Sequence, residues 1–396
     1  MLTVAVLSDV HAYSVSSNGR PSHLPVNAPE SRPRQHPFVS LQNLIAEEGI
    51  SADVLLCCGD MGDRADPTGI RFTWQWINQL AGDLRTRFVV GTTGNHDVDS
   101  RGLYTPNDAM ATLRTLVPRF PIPADDGLCD SYWARGFALI EAEEYRIAVL
   151  NSSVHHTTAA EAYHGKVSEE LLAAFEAALR ASGERRLNVL TCHHHPFRHG
   201  DIDQDDYSAM EGAPELLNLL GSGDFGHWLV IHGHKHHPRL RYASGTGFAP
   251  AILSAGSFSA ELYLELQTRA RNQFYLVELD PDAAVGLGLG LAGRVRAWDW
   301  VAAKGWEMAA KRSGLPARGG FGYRAAGDAI AAQIAALVGS SQAGYLTWEE
   351  VTSDRPELNF LLPEDTEALC DRLRSEGLKV LVDHKTGSVE QIGGVT

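Results

Sequence analysis

Leu2-Thr3-Val4-Ala5-Val6-Leu7-Ser8-Asp9-Val10-His11 is the stretch on which the reading of this chain turns. A short, mostly apolar strand pattern ends abruptly on a carboxylate and an imidazole one residue apart. The same grammar returns along the first 240 residues. Ala52–Cys58 leads into Gly59-Asp60 and Asp63-Arg64, and Arg87–Thr92 leads into Gly94-Asn95-His96-Asp97. Arg146–Ser152 leads into a loop, Leu187–Thr191 into His193-His194-His195-Pro196, and His227–Ile231 into His232-Gly233-His234-Lys235-His236-His237. Helical spacing fills the intervals at Phe38–Glu48, Phe72–Leu84, Asp108–Val117, Ser168–Ala181 and Glu211–Leu220. Strands that bury behind and carry polar tips in front predict an α/β protein, a mixed sheet with helices over its faces and one functional rim.

The tips have a consistent chemistry. Sixteen of the 17 histidines lie before residue 240, several of them beside Asp or Asn. Carboxylate, amide and imidazole donors in these proportions suit a pair of divalent ions, which can turn water into a nucleophile at neutral pH. One carboxylate must then serve both ions, and Asp60 is the natural choice. No serine or cysteine stands in a recognisable nucleophile arrangement.

The rest of the composition sets bounds. The chain has 396 residues, 44% hydrophobic and 21% charged, long enough for two or three domains. A formal net charge of −15 argues against broad adhesion to nucleic acid or an anionic membrane. No apolar run approaches the roughly 20 residues needed to cross a bilayer, and no secretory leader pattern precedes the first strand. Five cysteines, an odd number at wide spacing, fit reduced packed thiols. A cytoplasmic protein without membrane attachment is expected. Gly286, Gly288 and Gly290 repeat with a strand-like period of two and form no dinucleotide loop.

Five blocks in this order (Asp-x-His, Gly-Asp-x-x-Asp-Arg, Gly-Asn-His-Asp, His-x-Pro and Gly-His-x-His) resemble the calcineurin-like metallophosphoesterase superfamily over about residues 1–300. The resemblance implies a four-layer αββα sandwich with a dinuclear centre. It implies that Asp9, His11, Asp60 and His236 hold one ion, and that Asp60, Asn95, His194 and His234 hold the other. His194 is selected because it stands two residues before Pro196, and strand alternation would turn His193 and His195 away. His96 is implied as general acid, with Asp97 expected to accept from its second ring nitrogen and Arg64 to steady the Asp63 turn or touch phosphate. His232, His155, His237 and Arg239 are candidates for contact with substrate or for support behind the ligands. The metals are two divalent or mixed-valence ions drawn from manganese, iron, zinc and cobalt.

The implied reaction is hydrolysis of a phosphate ester by in-line attack of a metal-bridging hydroxide. The compact core is closest in appearance to phosphodiesterases of cyclic nucleotides and other small diesters. A nuclease acting on DNA or RNA is the alternative. Two irregular segments, 12–37 and 197–210, leave the expected rim and are candidates to cap the pocket. Residues 301–396 lie outside the resemblance and suggest a small α+β appendage, winged-helix-like in order and size. It would recruit either a nucleic-acid substrate or a protein partner.

Overall fold

The computed structural model describes residues 1–15, 19–198, 208–245, 247–324 and 327–394. Strand β1 (Leu2–Leu7) pairs in parallel with β2 (Val54–Cys57), and β2 pairs in parallel with β3 (Phe88–Gly91). A second sheet follows: β4 (Phe137–Glu141), β5 (Tyr145–Leu150), β6 (Leu187–Thr191), β7 (Trp228–His232), β8 (Arg239–Tyr242) and β9 (Ala251–Ser254), in the spatial order β4-β5-β6-β7-β9-β8. The chain then returns to the first sheet with β10 (Gln273–Leu279), β11 (Gly293–Val301), β12 (Gly305–Met308) and β13 (Arg318–Phe321). The order there is β12-β11-β10-β1-β2-β3, with β13 also on β11.

Alternation within the second sheet explains the layering. Ile147, Val149, Val189, Leu229, Ile231 and Leu253 join Val4, Val6, Leu55 and Val277 in one core between the sheets. Their neighbours Ala148, Leu150, Leu190, Trp228, Val230 and Ile252 face outward onto Leu171, Phe175, Leu179, Leu216 and Leu220. Those last five belong to the helices Glu169–Ser182 and Ala213–Leu220. The helices Pro37–Glu48 and Pro67–Leu84 pack on the first sheet through Phe38, Leu41, Trp74 and Ile77. The result is the expected αββα sandwich.

Differences from the expected elements have local causes. The second helix starts at Pro67, five residues early. Asp66 caps it by accepting from Thr68 N at 2.9 Å and Gly69 N at 3.3 Å, and Pro67 fits the first turn. The helix expected over 108–117 shrinks to Ala111–Arg114. The side chains of Asp99 and Asp108 instead hold residues 99–110 in turns. Gly286, the first of the three glycines spaced like a strand, instead ends the helix Pro281–Gly286.

The first sheet also runs past the expected boundary at residue 300, because β12 and β13 pair with β11 through 321. The appendage proper begins with the helix Gly327–Ser340. It adds the helices Trp348–Asp354 and Pro363–Ser375 and a sheet in which β16 (Val389–Gly393) lies between β14 (Tyr345–Thr347) and β15 (Lys379–Val382). Its own core joins Ile330, Ile334, Val351, Leu369, Leu373 and Ile392. No helix among the described residues is long and apolar enough to cross a membrane.

Candidate metal centre

The carboxyl ends of β1, β2, β3, β6 and β7 open on one rim, and each delivers a donor there. Asp9 and His11 follow β1, Asp60 follows β2, Asn95 and His96 follow β3, His193 and His194 follow β6, and His234 and His236 follow β7. Turning so sharply off a buried strand costs backbone strain. Among the described residues nine non-glycine positions have positive φ, and five of them are Asp9, His11, Asp60, His234 and His236. Such angles persist only where surrounding contacts over-determine them, and they concentrate at functional sites.

One half of the cluster is built on Asp9, His11, Asp60 and His236. His236 Nε2 lies 3.3 Å from Asp9 Oδ1 and 3.2 Å from His11 Nε2, while His11 Nε2 is 3.6 Å from Asp60 Oδ2. The other half is built on Asp60, Asn95, His193 and His234. His193 Nε2 lies 3.3 Å from Asp60 Oδ2, 3.1 Å from Asn95 Oδ1 and 3.2 Å from His234 Nδ1, and His234 Nδ1 is 2.9 Å from Asn95 Oδ1. Asp60 Oδ2 therefore belongs to both halves. Its partner oxygen, Oδ1, accepts from His96 N at 2.7 Å, which holds the carboxylate in place.

These separations test the fit of a metal pair. Donors held about 2.0–2.2 Å from one cation stand about 2.8–3.6 Å from each other. Imidazole nitrogens aimed at each other and at buried carboxylates are otherwise a costly arrangement. The donor set is suited to a dinuclear divalent site.

Neighbouring groups brace the donors. Asp97 is buried and accepts from four backbone N–H groups, those of Asp60, Met61, Gly62 and Gly94, at 2.8–3.2 Å. Burial and the charge of Asp60 push its carboxyl up to about 7. Asp9 Oδ2 accepts from Ser8 Oγ at 2.5 Å and from His234 N at 3.1 Å. Burial opposes charge on His193, but the Asp60 and Asp9 carboxylates lift it to about 9. Burial and the surrounding imidazoles hold His194 and His234 well below the ordinary histidine range.

Two expectations change at atomic detail. His96 was paired with Asp97, but its Nδ1 meets Asp63 Oδ1 at 3.3 Å, and Asp97 is spent on the backbone. His193 was turned away by alternation, yet it points into the cluster because β6 ends at Thr191 and residues 192–196 are not extended. His194 takes Ser152 Oγ at 2.9 Å through Nδ1, while its buried Nε2 has no hydrogen-bond partner. It also groups with His193 and His234 as a potential ligand. Three neighbouring imidazoles thus stand where two, His194 and His234, were expected, and only the run of three histidines in sequence hinted at the third.

Arg64 is exposed beside His96, and its backbone N lies 3.3 Å from His96 Nδ1. His232 and His237 are buried. His232 Nδ1 lies 3.0 Å from Gly233 O, and burial holds its imidazole down at about 3. His237 O accepts from Ser254 Oγ at 2.8 Å. A cleft of about 530 Å³ opens over the donors, walled by Tyr163, Lys235, Tyr263 and Ser208 among others. His155 and Arg239 are not among its walls. Tyr163 and Tyr263 were missed because a lone tyrosine in a loop carries no spacing signal. Of the two segments expected to cap the pocket, 16–18 and 199–207 lie outside the described residues.

The model of the calcineurin-like phosphoesterase family matches residues 2–238, and that of a calcineurin-associated wHTH family matches residues 319–375. No curated protein matches the chain. Among solved structures, it is similar to the purple acid phosphatase PPD1 from yellow lupin (Lupinus luteus) seeds, at 14% identity over 76% of this chain and 51% of that one, with a TM-score of 0.48. The chain thus spans about half the length of the lupin protein. A structure of PhoD is similar at 11% identity over 78% and 71%, with a TM-score of 0.43. A metallophosphoesterase from Sphaerobacter thermophilus is similar at 12% identity over 69% and 82%, with a TM-score of 0.28.

Proposed function

The chain belongs to the calcineurin-like phosphoesterase family; from that premise we propose that it is a metal-dependent phosphoric ester hydrolase, and within that class a phosphodiesterase acting on small diesters. The proposed ligands are Asp9, His11, Asp60 and His236 for one ion, and Asp60, Asn95, His234 and an imidazole of the 193–194 pair for the other. His193 has the better geometry. Two bound ions supply the positive charge that binds phosphoryl oxygens and lowers the pKa of water.

The chain's own residues do the rest. Asp60 and Asp63 outweigh burial at His96 and raise its affinity for a proton. Asp63 itself is held low by His11 and His96 despite burial. The Asp63 carboxylate, 3.3 Å from Nδ1, orients the ring and leaves Nε2 for the departing oxygen. In the step, water oxygen bonds to phosphorus in line, the P–O bond to the leaving arm breaks, and the His96 proton passes to the departing alkoxide.

The observation that carries the diester reading is the open space on both sides of His96. His96 and Asn95 line the cleft over the donors and also a second cavity of about 590 Å³. An ester with two arms uses both; a monoester needs one. Nucleic acid is disfavoured by the appendage, which has twelve acidic against five basic residues between 327 and 394. A winged helix that binds nucleic acid needs a basic face, whereas an acidic one fits a protein partner.

The test is hydrolysis after reconstitution with manganese, iron, zinc or cobalt. Bis(p-nitrophenyl) phosphate should be cleaved with higher kcat/KM than p-nitrophenyl phosphate. Preference for the monoester, or cleavage of nucleic acid alone, would overturn the reading.

A further inference from the structure

Beyond His96 the second cavity has a chemistry of its own. It shares Asn95, His96, Ala162 and Tyr163 with the metal cleft and adds Arg64, Arg101 and Leu103. A third hollow of about 530 Å³ continues past Asp99, Ser100 and Arg101. The space is contiguous through shared walls, and His96, the proposed general acid, stands on the wall that the second cavity shares with the metal cleft.

Two features of the lining need explanation. Arg64 and Arg101 are both exposed, and neither guanidinium has an ion pair among the described residues, in a chain of net charge −15. Unpaired guanidinium at the edge of a cleft in an acidic protein is a local well for anions. Tyr163 and Leu103 meanwhile expose 62% and 66% of their surface, among the most exposed large apolar side chains in the protein. Neither packs into a core, so their apolar surface is available to a flat ring.

Arg101 is also held in place. Asp99 is 4% exposed, and its carboxylate accepts from the backbone of Leu103 at 2.8 Å, Tyr104 at 2.6 Å and Thr105 at 2.6 Å. That turn closes the 99–105 loop and keeps Arg101 on the wall common to the second and third hollows.

We propose that this second cavity is the leaving-group subsite, and that it selects a nucleotide arm: an aromatic base against Tyr163, and a further phosphate facing Arg64 and Arg101. This deepens the phosphodiesterase reading and rests on it. The preferred substrates are linear dinucleotide-type diesters with an additional terminal phosphate. A cyclic nucleotide has one phosphate and no separate leaving arm, so it leaves the two arginines unused.

The experiment uses the full metal-loaded chain with four diesters: the dinucleotide ApA, its 5′-phosphorylated form pApA, glycerophosphoethanolamine, which has no ring, and bis(p-nitrophenyl) phosphate. Wild type should favour pApA over ApA by roughly tenfold or more in kcat/KM. Arg101→Gln should raise KM for pApA at least tenfold more than for ApA, with kcat moving little. Tyr163→Ala should raise KM for ApA and pApA roughly tenfold while moving glycerophosphoethanolamine far less, and Tyr163→Phe should restore the loss. Equal effects of Arg101→Gln on ApA and pApA, or of Tyr163→Ala on substrates with and without a ring, overturn the subsite while cleavage of bis(p-nitrophenyl) phosphate leaves the phosphodiesterase reading standing. A wild type that cleaves none of the four brings down both.

Discussion

Gly94→Ala adds one methyl group at the point where the ends of β2 and β3 touch. The backbone at Gly94 is ordinary, with φ −89, so an alanine meets no torsional objection there. Space is the objection. A Cβ at this position would stand 2.1 Å from Asp60 Oδ1, 2.3 Å from Asp60 N and 2.8 Å from Asp60 Cγ. Real Cβ atoms essentially never approach a neighbour closer than 3.0 Å, so Asp60 and residue 94 must part by about 0.9 Å at least. Neither can yield alone, since Asp97 Oδ2 accepts from both Asp60 N and Gly94 N, at 2.8 and 3.0 Å.

Metal–ligand distances tolerate about 0.2 Å. A displacement several times larger therefore removes Asp60 Oδ2 from at least one ion. Misplacement of a reacting group by about 1 Å costs on the order of 100-fold in rate, and overpacking of this kind costs about 1–3 kcal/mol of stability. The expected variant is folded, binds fewer than two ions per chain after gel filtration, and hydrolyses bis(p-nitrophenyl) phosphate at least 100-fold more slowly. Gly82→Ala is the control. It lies in the helix Pro67–Leu84 with nothing within 4 Å of its Cβ, and it should raise stability by up to about 1 kcal/mol without touching metal content. If Gly94→Ala retains two ions and activity within threefold of wild type, Asp60 is not the shared ligand and the proposed centre is wrong.

Three further outcomes follow from the same geometry. His193→Ala should weaken the second ion more than His194→Ala does, by tenfold or more in chelator competition; the reverse ranking would restore His194 as the ligand. Asp63→Asn and His96→Ala should each keep two ions while kcat falls on the order of 100-fold, and retained kcat in Asp63→Asn would remove Asp63 as the positioning group. His36 caps the helix Pro37–Glu48 by accepting from Val39 N, and burial pulls its imidazole from 6.5 down to about 4. The unfolded chain then takes up this proton first as pH falls, so stability is lost from about pH 6.5 towards pH 4. After discounting for solvent screening the loss is about 1–2 kcal/mol. His36→Asn keeps a capping acceptor without the titration, and its thermal midpoint should fall less over that window; parallel curves would refute the assignment.

Much of the scaffold was legible because its signals are local. Leu2–Leu7 and Leu187–Thr191 appear as strands with the bounds read from the apolar pattern, and Pro37–Glu48 and Glu169–Ser182 follow their helical spacing closely. Strands β4, β8 and β9 were not legible. The short Arg239–Tyr242 alternates basic and apolar residues like a solvated turn, and pairing with β9 is what makes it a strand. Residues 305–321 were assigned to the appendage for the same reason, since only their pairing with β11 reveals them as the edge of the first sheet.

At the rim the division is sharper. Each donor announced itself by type and by its place just after an apolar run, because burying the strand and exposing its tip is a property of a few consecutive residues. Side-chain direction is not local once the strand ends. The geometry of residues 192–196 depends on Ser152, Cys58 O and Asp60 from other strands, and these partners turn His193 inward and hold His194 by its Nδ1. The partner of His96 was settled the same way. Four backbone N–H groups from two loops claim Asp97, and Asp63 takes the ring, because a buried carboxylate goes where the unsatisfied donors are most numerous.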